Sequence, residues 1–313
     1  TIPDELNPLA LRNKKAVFKI LFAAASQALL TIARDDKHLG AQVGFTMVLH
    51  TWGQNLLFHP HVHCVVTGGG LSSDGSRWIA AREKYLLPVK VLGKLFRGKF
   101  LAALDQAYRD GEFDLAGSTA ELSDPHAWRR FKDGLYKKDW VVFAKPPFGG
   151  AEQVFNYLGR YTHRIAISNH RIVACADGKV TFSWKDYADG CKRKLMTLDS
   201  VEFLRRFLLH VLPSGFVRIR HYGLCASSNV NTKLATAGRL LEPSTEVSPP
   251  SKSDPEPTTE PPPWWERFLE QTGIDVMACP SCTAGRMQRQ RSLSSVEIVM
   301  LAERIAAPRV DSS

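Results

Sequence analysis

The chain has 313 residues, 44% of them hydrophobic, a net charge of +10 and six scattered cysteines. That length holds one large domain or two modest ones. No run reaches 18 consecutive apolar residues, so no membrane span is indicated. Six dispersed cysteines in so long a chain are not a disulfide scaffold and point to a reducing cytoplasm. The start, TIPDELNPLALRNKK, has neither an initiator Met nor the apolar stretch of a signal peptide. Residues 242–270 carry seven acids against two bases, so the basic surplus belongs to the first 241 residues. A basic body with an acidic segment suits a polyanionic partner such as nucleic acid.

Val17, Leu21, Ala24, Ala28 and Ile32 recur at helical spacing and predict an amphipathic helix over 9–35. QVGFTMVLHTW (42–52) reads as a strand, with HVHCVVTG (61–68) as its neighbour. Residues 89–108 predict a helix with a basic first half, and DWVVFA (139–144) a strand stopped by KPPFGG. AEQVFNYLGRYTHR (151–164) follows as a helix. RIVAC and KVTFSWKDY make a hairpin in which Asp177-Gly178 supplies the turn. DSVEFLRRFLLHVL is a helix with capping-box spacing at Asp199 and Glu202, ended by Pro213. FVRIRHYG closes the body as a strand. Hairpins outnumber crossovers, which predicts an α+β fold with a largely antiparallel central sheet and packed helices. No Gly-rich phosphate loop follows a strand, so no nucleotide cofactor is expected.

Eight of the 21 residues from 243 to 263 are Pro, and most others are Ser, Thr or acidic. Such a segment cannot bury enough apolar surface to offset its ordering entropy. The expected organisation is a catalytic body over 1–241, a Pro-rich disordered linker over 242–263 and a small tail over 264–313.

Four of the ten histidines fall between residues 50 and 63. On a strand, His61 and His63 point to one face, about 6.5–7 Å apart, while Val62 and Cys64 point to the other. Two such imidazoles reach one metal ion, and most ions need a further protein ligand. His50 on the preceding strand supplies it if the two strands pair; Gln54 and His59 compete for the same role.

Tyr157 and Tyr161 lie four apart in YLGRY and share a helix face. Aromatic packing is the ordinary explanation of that spacing. The surroundings here are polar and basic, with Gln153, Asn156, Arg160, His163 and Arg164, and tyrosine can act as an activated nucleophile. HPHVHCVVTGGG followed some 90 residues later by YLGRYTHRIAISNHRI resembles the two-tyrosine HUH transposases of rolling-circle insertion sequences, His61-Val62-His63 being the HUH element. LHTWGQNL, GSRWIA, LFRGKFL, WVVFAKPPFGG, VTFSWKDY, RRFLLHVLP and GFVRIRHYGL extend the similarity over about residues 1–241.

The resemblance implies cleavage and rejoining of single-stranded DNA. His61, His63 and His50 would hold Mg2+ or Mn2+, and imidazole ligands suit Mn2+ the better. Tyr157 or Tyr161 would attack, leaving a 5′-phosphotyrosine and a free 3′-OH, and the other tyrosine would serve the second transfer. Basic and aromatic residues interleave in FSWKDYADGCKRK and VRIRHYG. They make Trp184, Lys185, Lys192, Arg193, Lys194, Arg218 and Arg220, with Arg160 and Arg164, the candidate DNA contacts, and Tyr187 and Tyr222 further stacking candidates. Members of the family often carry a cysteine-rich zinc module ahead of the body; this chain begins after that point. Cys279 and Cys282 form a CxxC, half of a Zn2+ site. Two other readings stay open: a nucleic-acid-binding remnant without catalysis, and a replication initiator or relaxase sharing the same chemistry.

Overall fold

The computed structural model describes residues 1–82, 86–145, 147–148, 150–162, 166–242 and, near the C-terminus, 269–270, 275, 277–278 and 285–286. The chain divides into two compact units, Thr1–Thr245 and Glu246–Ser313.

In the first unit, α1 (Asn7–Arg12) and α2 (Lys14–Arg34) replace the single helix expected over 9–35. Asn13 makes the break. Its side chain donates to the Leu9 and Asp114 carbonyls and accepts from the Asp114 amide at 2.8 Å, so it serves a distant loop rather than helix continuation. Helix α2 is long and apolar enough to cross a membrane by length and composition. Here it is the core helix: Val17, Phe18, Leu21, Phe22, Ala28 and Ala33 are fully buried.

Strands β1 (Gln42–Trp52), β2 (Phe58–Leu71) and β3 (Trp78–Ala80) come next, then α3 (Val89–Arg109). Helix α4 (Pro125–Lys137) has no counterpart among the expected elements, although Asp124 caps it by accepting from the Ala127 amide and Pro125 opens it. Residues 139–144 are not a strand. The alternation is real, with Trp140 buried and Val141 and Phe143 exposed, but Trp140 packs on Phe96 and Phe100 of α3 and donates to the Leu135 carbonyl of α4, and no described strand pairs with the segment. Strand order is β3-β2-β1-β7, all antiparallel.

Helix α5 (Ala151–Thr162) precedes a second antiparallel sheet of β4 (Ile172–Ala176), β5 (Lys179–Asp186) and β6 (Lys192–Asp199). Asp177 and Gly178, with φ of 51° and 73°, form the turn between β4 and β5 as expected. Strand β6, which pairs with β5 over its whole length, is a further element that the sequence pattern did not signal. Helix α6 (Ser200–Leu208) begins at Asp199 without a side-chain cap. Glu202 does not close a capping box, because it binds Arg205 at 2.6 Å and Arg206 at 2.7 Å instead. Strand β7 (Ile219–Gly223) and helix α7 (Ala235–Leu241) complete the unit. The architecture is the expected α+β fold, with its antiparallel strands divided between two sheets.

Two cores result. The main one lies between α2, α3 and one face of the first sheet, through Val43, Phe45, Met47 and Leu49 of β1. A smaller one joins Leu56, Ala166, Val180, Phe182 and Phe203, with Trp52 and Trp184 packed against it. In the second unit, Ala278 and Arg286 form a β-bridge, and Arg286 pairs with Asp275 at 3.4 Å. Most of the Pro-rich segment, together with Cys279 and Cys282, lies outside the described residues.

Candidate metal centre and tyrosine helix

Pairing of β1 with β2 decides which histidines meet. His50 lies opposite His61 and Val48 opposite His63, so all three imidazoles share one face. Leu49 lies opposite Val62 and Met47 opposite Cys64, which gives the other face to the main core. Burial there pushes the Cys64 thiol up to about 12.

One ring nitrogen from each of His50, His61 and His63 falls within 4.8 Å of the others. His61 Nδ1 is 2.7 Å from the His59 carbonyl oxygen. A carbonyl only accepts, so Nδ1 carries the His61 proton and Nε2 keeps a lone pair. That Nε2 stands 3.1 Å from His63 Nε2. Two nitrogens each about 2.1 Å from a shared ion are separated by about 3.0–3.4 Å, so the spacing fits a bidentate pair. Burial holds the two rings neutral. It lowers His61 to about 3, and it lowers His63 to about 3 with help from the neighbouring His50 and Lys145. His50 is buried and stacks on Trp52, with centroids 4.5 Å apart and planes at 18°. Three imidazole nitrogens so placed could hold a metal ion. Of the competing third ligands, His59 turns Nδ1 toward Asp4 at 3.6 Å.

Helix α5 brings Tyr157 to this cluster across 94 residues of sequence. Its phenolic oxygen is 2.9 Å from His63 Nδ1, and its ring packs on Phe148 at 5.3 Å. Tyr157 is half-buried, so the hydroxyl is neither sealed in hydrocarbon nor turned away. With neutral rings the protons run one way: Tyr157 O–H to His63 Nδ1, His63 Nε2–H to His61 Nε2, and His61 Nδ1–H to the His59 carbonyl. The side chains of Arg160 and Tyr161, and the whole of Arg164, lie outside the described residues.

Residues 44–233, more than half of the chain, match the family described as "Putative transposase". The chain belongs to this transposase family. It is 49% identical over 287 residues to "Putative transposase y4qJ" of Sinorhizobium fredii, covering 92% of this chain and 70% of that protein. It is 26% identical over 312 residues to the "Transposase for insertion sequence element IS801" of Pseudomonas savastanoi pv. phaseolicola, covering 95% of this chain and 68% of that one. No solved structure matches.

The remaining sequence-predicted residues of this transposase spread over two surfaces. Trp184 and Lys194 face each other across β5 and β6, as do Lys185 with Arg193 and Asp186 with Lys192. Trp184 packs against the smaller core, and Lys185 sits over the Tyr187 ring at 5.6 Å. Lys194 spends its charge on Asp186 and Asp189, and Lys192 on Asp189. On β7, Arg220 lies opposite the core residue Met47 and rests on the Phe22 ring at 4.3 Å, which places it on the helix side of the sheet. Tyr222 stacks on Phe45 on that same side. Arg218 is half-buried, and that burial lowers its pKa. Sequence reasoning missed Trp52, Phe148 and Lys145. The one usable signal was an aromatic two positions after His50, which on a strand shares its face.

Proposed function

We propose that this chain cleaves and rejoins single-stranded DNA through a covalent bond to Tyr157, with a divalent cation held by His50, His61 and His63. The observation that carries the reading is the 2.9 Å contact between Tyr157 and His63, which joins the nucleophile candidate to the ligand cluster. Membership of a transposase family makes DNA the substrate class.

A divalent cation, when bound, polarises the scissile phosphodiester. The chain's residues supply the rest. With His63 Nε2 serving as a ligand, its ring proton sits on Nδ1 and is donated to the tyrosine oxygen, which favours the phenolate. The phenol's own proton leaves to solvent. The oxygen attacks phosphorus, the P–O3′ bond breaks, and the departing oxygen is protonated to a free 3′-OH. Rejoining runs the reverse: an incoming 3′-OH attacks phosphorus and Tyr157 departs. Because the phosphotyrosine conserves the bond energy, no nucleotide is consumed. Tyr161 serves the second transfer, and Trp184, Lys185 and Arg193 of the second sheet guide the strand.

The test is a labelled single-stranded transposon end mixed with the full chain and Mn2+. A denaturant-resistant adduct is expected. Tyr157→Phe should lower it at least tenfold, and a double change with Tyr161→Phe should abolish it. An adduct surviving the double change would refute the assignment, and binding without any adduct would favour a non-catalytic remnant.

A further inference from the structure

The turn joining β1 to β2, residues 53–57, engages every one of its five carbonyls. Two bonds are internal: Gly53 O accepts from the Leu56 amide at 3.2 Å, and Leu57 O accepts from the Gly53 amide at 3.0 Å. The three between them go to side chains more than a hundred residues away. Gln54 O accepts from Arg171 Nη2 at 2.5 Å, Asn55 O from Arg206 Nη1 at 3.2 Å, and Leu56 O from His210 Nε2 at 3.1 Å.

Each donor is itself held. Arg171 Nε donates to the Ser183 carbonyl of β5 at 2.8 Å. Arg206 Nε donates to Glu202 at 2.7 Å. His210 Nδ1 meets Thr51 Oγ1 at 3.2 Å, and Lys14 Nζ of α2 donates to the Leu209 and Val211 carbonyls on either side of it, both at 2.8 Å. Leu56 has φ of 62°, a conformation costly for a branched side chain. It persists because that side chain is fully buried with Phe182 and Phe203 in the smaller core.

A hairpin turn does not need such anchorage to join two strands, since water satisfies exposed carbonyls as well. The neighbours of the turn account for it. Trp52, packed on the same smaller core, is the face against which His50 is stacked. Ala166 and Ile167 belong to that core too, just after the tyrosine helix. We propose that Arg171, Arg206 and His210 are positioning residues for the histidine cluster. By gripping the turn's carbonyls they fix Trp52 and the β1–β2 register, and so hold the His50 ring where its nitrogen converges with those of His61 and His63. Arg171, tied to Ser183 of β5, Arg206 of α6 and His210 just after α6 thereby support a ligand group to which none of them belongs. This inference rests on the metal reading above.

The experiment uses the full chain and Mn2+ alone, with free ion read by electron paramagnetic resonance and amide exchange followed over residues 50–63. Arg171→Met and Arg206→Met should each weaken Mn2+ binding about tenfold, the size usual for groups that orient ligands. They should speed exchange at Gly53, Leu56 and Leu57 while leaving α2 and α3 at wild-type protection. Arg206→Lys, which keeps a donor, should recover part of the affinity. Unchanged exchange in the turn overturns the proposal, and so does a loosened turn with wild-type Mn2+ affinity. A wild-type chain that takes up no Mn2+, or a His61→Ala/His63→Ala chain that still does, sinks the metal reading instead.

Discussion

His210 offers a quantitative handle on the turn anchorage. Its ring is almost fully buried between Trp52 and Phe58, and Lys14 is the cation facing it. Its Nε2–H donates to the Leu56 carbonyl, which leaves Nδ1 without a proton to accept from Thr51. Burial lowers its pKa from 6.5 to about 4. Well above pH 6.5 the ring is neutral in both the folded and unfolded chain, and its contribution to stability is fully present. As pH falls from 6.5 toward 4, the unfolded chain takes up a proton that the folded protein refuses, so stability is lost. At about pH 5 the loss is about 2 kcal/mol. His61 and His63 are depressed too and add a loss of the same sign, so the comparison must isolate one ring. His210→Gln keeps an amide donor for Leu56 but cannot titrate. Urea unfolding at about pH 7.5 and about pH 5, followed by tryptophan fluorescence with chelator present, should find the wild type losing about 2 kcal/mol more than the variant. Equal losses would refute the account of a buried neutral ring.

A folded chain that binds an ion its unfolded form does not should be stabilised by about 2.7 kcal/mol when Mn2+ stands at a hundred times its dissociation constant. Excess chelator should remove the gain, and a melting curve indifferent to Mn2+ would contradict the ligand reading. Leu56→Ala keeps the strained φ but empties the centre of the smaller core. It should cost about 2–5 kcal/mol in urea unfolding, and a cost below about 1 would mean that the smaller core closes over the gap. A thiol reagent at about pH 8 should modify the exposed Cys175 and Cys191 well before Cys64, whose thiol burial pushes to about 12; mass mapping of the labelled peptides reads the order.

How much was legible beforehand depended on whether the governing interaction was local. Alternation in QVGFTMVLHTW and HVHCVVTG settled both strands and put His61 and His63 on one face, because strand parity is a local rule, while His50 joined them only through the β1–β2 register. The Asp177-Gly178 turn was equally local. Residues 139–144 alternate just as well yet form no strand, since Trp140 docks on α3 and α4 instead of a sheet edge, a choice that no short window reveals. Asp199 and Glu202 had the right spacing for a capping box, but two arginines competed for the carboxylate. Strand β6 hid in a run of charges: Lys192, Lys194, Asp186 and Asp189 neutralise one another across the hairpin, a cancellation visible only once β5 lies alongside.

The sequence by itself determined the basic α+β body, the family resemblance and the two chemical elements, three histidines on strands and a tyrosine on a helix. The elements and the side chains they carry come from periodicity and residue type within a few neighbouring positions, and the resemblance from an ordered set of motifs along residues 1–241. Tertiary structure alone decided that His50 rather than His59 completes the triad, that Tyr157 meets His63, and that Trp52, Arg171, Arg206 and His210 stand behind the cluster. Those are contacts between groups from two to 159 positions apart, and their geometry is set by how two sheets pack around a five-residue turn, which no local pattern encodes.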